Sequence, residues 1–108
     1  MNVLFELRRY RTLEGRIPYS EWIGDLDSTA AARISAHVDR IKTGNFGNTC
    51  SVGDGVLELK INYGSGYRVY YVRDHGRVVI LLCGGDKGSQ QIDIRRAHGY
   101  AEDYWRRR

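Results

Sequence analysis

Residues 55–87 read GVLELKINYGSGYRVYYVRDHGRVVILLCGGDK, and this stretch decides the fold. Leu57, Leu59, Ile61 and Tyr63 alternate with Glu58, Lys60 and Asn62, the period-two pattern of a half-buried strand. Two more strand-like runs follow, each after a glycine-bearing turn, so the stretch predicts an antiparallel meander ending in a glycine-rich loop with Asp86 and Lys87. A three-residue turn at Gly64-Ser65-Gly66 pairs Tyr63 with Tyr67, Asn62 with Arg68 and Lys60 with Tyr70. One face then holds Leu59, Ile61, Val69 and Tyr71, and the other gathers Lys60, Arg68 and Tyr70 as an open polar face. A two-residue turn would shift the pairing by one and mix the faces.

Upstream, Val3 to Thr12 alternates as a first strand. Pro18 suits the first turn of a short helix, because its missing N–H has no intrahelical partner there. Asp27 or Ser28 can cap a second helix from Thr29 to about Lys42, with Ala31, Ile34, Val38 and Ile41 in one stripe. Thr43 to Asp54 has the composition of a loop. Val78 to Cys83 is apolar on both parities, which requires cover on both faces. A last helix runs from Ser89 towards Arg107, interrupted at Gly99, and Arg106 to Arg108 reads as a solubilising end. The order β-α-α-β-β-β-α describes an α+β sandwich of one domain, residues 1–108, with helices on one face of an antiparallel sheet.

At 108 residues the chain can bury one core without staples, and 42% hydrophobic content argues for a folded domain. No apolar run approaches the roughly 18 residues that span a bilayer. The start, MNVLFELRRYR, turns charged too early for a signal peptide, so no membrane role and a cytoplasmic location are expected. Cys50 and Cys83 are isolated, and there is no CxxC or histidine cluster, so neither a metal site nor a cofactor is expected. The net charge is +4, and only Lys42, Lys60 and Lys87 of the 17 basic residues are lysines. Arginine grips phosphate bidentately, whereas a genome rich in G and C also favours it. The balance permits a nucleic acid or an acidic protein as partner.

Two groups of residues suggest chemistry. Lys60, Arg68 and Tyr70 can hold a phosphodiester and stack a base, although outward polar alternation is also what any solvated sheet face shows. The Gly84-Gly85-Asp86-Lys87-Gly88 loop can form a nest for an anion, or simply a flexible connection. It lacks the ending and spacing of a phosphate-binding Walker loop. Lys87 follows the strand next to Arg68, so the two groups can converge at one sheet end. His37, His75 and His98 build no triad.

The segments GVLELKINYGSGYRVYY and VVILLCGGDKGSQQIDIRRA resemble the RelE/ParE superfamily of bacterial toxins, and most closely its HigB-like branch of addiction-module killer proteins. The resemblance covers nearly the whole chain. It implies a toxin paired with a small helix-turn-helix antitoxin from the adjacent gene. It also implies metal-independent cleavage of mRNA in the ribosomal A site, by attack of the 2′-OH on the adjacent phosphate. Arg68 matches the arginine that grips the scissile phosphate, Lys60 the place of catalytic lysines, and Lys87 a basic residue after the last core strand. Tyr70 is the expected stacking platform, and Glu58 and Asp86 are the reserve acid–base groups. The C-terminal tyrosine that stacks the base in RelE has no counterpart; Asp93 falls near its place. ParE-type relatives share the fold but poison DNA gyrase, and a degenerate toxin would act only as a binding partner.

Overall fold

A computed structural model describes residues 4–108; Val3, the expected start of the first strand, lies outside them. The elements are β1 (Glu6–Arg9), α1 (Pro18–Gly24), α2 (Ser28–Asp39), β2 (Asn48–Ser51), β3 (Leu57–Ile61), β4 (Tyr67–Asp74), β5 (Val78–Gly85) and α3 (Gln90–Arg107). One five-stranded sheet runs in the order β1-β5-β4-β3-β2. The meander is antiparallel, while β1 joins it parallel to β5. The architecture is α+β.

Local chemistry explains the helix starts. Ile17, held extended because a proline follows, delivers Pro18 to the first position of α1. The Asp27 side chain accepts from the Ala30 N–H at 2.9 Å and caps α2. Asp86 accepts from the Gly88 and Ser89 N–H groups in a capping box around the 3-10 turn Lys87–Ser89 that leads into α3.

The sheet is covered on both faces, which corrects the expectation of helices on one. On one face α1, α2 and the 3-10 turn Arg40–Thr43 after it bury Tyr19, Ile34, Val38 and Ile41 against Leu59, Val69, Tyr71 and Leu81. On the other, Ala97 and Ala101 of α3 pack with Val56, Tyr70, Val72, Ile80 and Leu82. Burying each large aliphatic side chain contributes about 1.5–3 kcal/mol. The supposedly open face of Lys60, Arg68 and Tyr70 therefore carries a second core, and only its edge meets solvent.

The face assignment along β3 and β4 holds, but the register differs by two residues. Ile61, not Tyr63, pairs with Tyr67, and Lys60 stands opposite Arg68 instead of Tyr70. The connection is wider than three residues, with Gly66 N–H bonded to Tyr63 O and Gly66 at φ 80°. A shift of two preserves side-chain parity.

Three further differences follow from context. The loop-like Asn48–Ser51 pairs with β3 as an edge strand. Gly99 does not interrupt α3, and a β-carbon there would meet nothing within 4 Å. The arginine tail anchors rather than solubilises: Arg108 Nε donates to Asp74 Oδ2 at 2.7 Å, and Arg107 donates to Asp103 and to Arg11 O. In β5, Tyr70 pairs with Cys83 and Tyr71 with Leu81, leaving Leu82 as an extra residue. This bulge buries Leu82 and Cys83 on the same face, under α3.

Candidate functional site

The register places Lys60 and Arg68 side by side on β3 and β4. Both line a groove of about 220 Å3 with Asn48, Asn62, Gly66 and Tyr67. Lys60 is exposed, whereas Arg68 is only 9% exposed and shows the groove the rim of its guanidinium. Arg68 Nη1 donates to Gly66 O at 2.7 Å. Its Nε is buried and has no hydrogen-bond partner among the described residues.

Beneath Arg68 lies a buried carboxylate. Glu58, 1% exposed, accepts at Oε2 from Tyr70 Oη and from Gln90 Nε2, each at 2.9 Å. Arg68 Nε is 3.7 Å from the same oxygen. Cys50 Sγ approaches Oε1 at 3.7 Å, a weak donor from β2. The carboxylate of β3 is thus surrounded by one group from β2, two from β4 and one from α3. Burying an ion is tolerable only with such pairing.

The structure gives three of the expected residues other roles. Tyr70 is fully buried, so no ring face is available for stacking on a base; its phenol instead supports Glu58. Burial, with the Glu58 acceptor adding to it, pushes that phenol well above its ordinary range, so it stays a donor. Glu58 is closed off from solvent, unlike an accessible base. Asp86 is committed to capping, accepting from Gly88 N–H at 2.9 Å and Ser89 N–H at 3.2 Å.

The strand-end loop does reach the groove. A β-carbon built on Gly66 would lie 3.4 Å from Arg68 Nη1 and 3.6 Å from Lys87 Cβ, so Gly66 is flanked by both residues. The Lys87 N–H also points to Ser65 O at 3.4 Å. Arg68, Lys60 and Lys87 therefore gather around one turn. The ion pairs among the described residues include neither lysine of this group.

Asp93 is buried over Gly85, where a β-carbon would come 1.7 Å from its Oδ2, and it accepts from the Ser89 hydroxyl. It joins α3 to β5 and offers no ring for stacking. Gln90, Asn48 and Asn62 were not expected at the site. Gln90 gave no signal, because a polar residue at a helix start looks the same whether it faces water or a buried carboxylate. Among the described residues, no three His, Cys, Asp or Glu side chains are placed to hold a metal ion. No helix among the described residues is long and apolar enough to cross a membrane.

The sequence profile described as phage derived protein Gp49-like matches residues 21–98, a span that includes Glu58, Lys60, Arg68 and Lys87. An uncharacterized protein of Haemophilus influenzae is 44% identical over 88 residues, covering 81% of this chain and 89% of its own length. Proteins of the Gp49-like family are often toxins of toxin–antitoxin modules. With a match over most of its length, the chain belongs to the phage-derived Gp49-like family, within the RelE/HigB-type toxin clan.

Proposed function

We propose that the protein is the toxin of a toxin–antitoxin module, of HigB-like type, and that it arrests growth by cleaving mRNA on the ribosome. The observation that carries this reading is the pairing of Lys60 and Arg68 across β3 and β4, where both line one groove. The planar guanidinium fork matches the two non-bridging oxygens of a phosphodiester, and the ammonium of Lys60 beside it adds charge.

In the proposed reaction the substrate's 2′-oxygen forms a bond to the adjacent phosphorus and the bond from phosphorus to the 5′-oxygen breaks. A 2′,3′-cyclic phosphate and a 5′-hydroxyl result. Arg68 holds the phosphate and takes up the charge that grows on its equatorial oxygens. Lys60 adds a second cation beside the phosphate, the 2′-hydroxyl gives its proton to solvent, and the departing 5′-oxygen takes one from solvent. Lys87 adds a phosphate contact at the turn. Alignment of the 2′-oxygen with the leaving oxygen supplies the rest of the acceleration.

The test is primer extension on messages after induction, with translation running and with initiation blocked. Discrete new 5′ ends on translated messages only, lost with Arg68→Ala, support the reading. Intact messages together with a DNA-damage response would replace it with the gyrase-directed mode of the ParE relatives.

A further inference from the structure

β1 forms one edge of the sheet, and among the described residues no strand covers its outer side. Glu6 N–H bonds to Arg77 O and Tyr10 N–H to Leu81 O, so Glu6, Arg8 and Tyr10 turn their backbone groups towards β5. Strand geometry then turns the N–H and C=O of Leu7 and Arg9 outwards. Such an edge is a template for another strand.

Grooves flank this edge on both faces of the sheet. On the α3 side, Arg8, Arg11, Arg107 and Arg108 surround a groove of about 230 Å3 with Ile80 and Tyr104. On the α2 side, a groove of about 400 Å3 is lined by Leu7, Tyr19, Val38 and Leu81. The first is cationic beyond its internal pairing: Arg8, Arg107 and Arg108 meet Glu6, Asp103 and Asp74, while the ion pairs among the described residues do not include Arg11. The second carries its apolar surface on Leu7, Tyr19, Val38 and Leu81; Arg9 also lines it, with its guanidinium over the Tyr19 ring and bonded to Ser20 Oγ, and Lys42 and Asp39 neutralise each other.

A strand's side chains alternate between faces, so a segment added to this edge would send successive side chains into the cationic and the apolar groove. We infer that the outer edge of β1 is a docking site for an extended segment of a partner polypeptide with acidic and apolar residues in alternation, which adds a sixth strand. Five or six residues suffice to reach both Leu7 and Arg9 at about 3.4 Å per residue. The inference is independent of RNA cleavage, because β5 separates this edge from β4 and β3, which carry Arg68 and Lys60, and the two sites share no lining residue.

The probe is a synthetic hexapeptide of alternating glutamate and valine, blocked at both ends and added to the full chain. Amide hydrogen exchange is read by NMR. The expected result is new protection of the Leu7 and Arg9 amides, with Lys60 and Arg68 unchanged. Affinity should fall with added salt, and by at least about tenfold in the exposed charge reversals Arg8→Glu and Arg11→Glu. A lysine–valine hexapeptide should not bind. The inference is overturned if the acidic peptide gives no protection at millimolar concentration, or if the charge reversals bind it equally well. It is equally overturned if the edge amides are already protected in a concentration-dependent way without peptide, which would make a second copy the occupant. Displacement of the peptide from this edge by a short RNA would reassign the surface to nucleic acid.

Discussion

Arg68 Nε lies 3.7 Å from Glu58 Oε2, near enough for attraction but too far for a hydrogen bond. The carboxylate gives its closer contacts to Tyr70 and Gln90 instead. Glu58 thus offsets the charge of the arginine without hydrogen-bonding to it, and Arg68 Nη1 donates instead to Gly66 O.

Glu58→Gln should therefore act on stability more than on chemistry. Removing the charge leaves a buried guanidinium without its counterion, which costs about 2–3 kcal/mol in urea unfolding. Tyr70→Phe, losing one buried hydrogen bond, costs about 1–2 kcal/mol. At a temperature where Glu58→Gln is folded, RNA cleavage should stay within about tenfold of the parent. A loss of roughly a hundredfold or more would make Glu58 the general base.

The two glycines ending β5 tolerate no side chain. A β-carbon at Gly84 would lie 2.3 Å from the Trp22 ring, and one at Gly85 1.7 Å from Asp93 Oδ2. Gly84→Ala should cost about 1–3 kcal/mol, as overpacking does. Part of this should return in the double variant with Trp22→Ala, measured as a double-mutant cycle by thermal unfolding.

The two thiols should react very differently. Cys83 is buried and burial pushes its thiol up to about 12, while Cys50 is exposed on the edge strand. At pH 8 a thiol reagent should label one cysteine quickly and the second only after denaturation. Rapid labelling of both would contradict the packing of α3 on β5.

Acid should loosen the end of α3. Arg108 and Tyr104 hold the Asp74 carboxyl below its ordinary value, and Arg107 and Tyr10 do the same for Asp103. A depressed folded-state value contributes stability that is present above the unfolded carboxyl range, near pH 4, and is lost as pH falls through the folded value. Stability should decline below about pH 4, and Asp74→Asn should make that decline shallower in chemical unfolding across pH.

The faces of β3 and β4 were legible because alternation survives any even shift in register, and the real shift was two residues. The register itself was not, since Asn62 to Gly66 carries no single turn signature. Helix starts at Pro18 and Asp27 were readable from local chemistry. The side on which α3 packs was not, because its stripe of Ala97 and Ala101 is equally apolar against either face. That ambiguity hid the fate of Tyr70 and Glu58, which looked outward-facing until a helix lay over them. Asn48–Ser51 escaped notice because a short polar edge strand has the composition of a loop. Arg68 and Lys60 stand out in the sequence through the family resemblance, because outward polar alternation alone marks any solvated sheet face.

The bulge at Leu82 sets the phase of everything after it. In an unbroken ladder Leu82 would face Tyr70, Cys83 would take the place beside Val69 and under Trp22, and Gly84 would take the place opposite Arg68. Because one residue is added, the strand arrives half a period later, with Gly84 below the indole and Gly85 below Asp93. Lys87 then reaches the Gly66 turn in step with Arg68. The convergence of the two cations is thus timed by an apolar side chain, buried on the far side of the strand pair from Trp22.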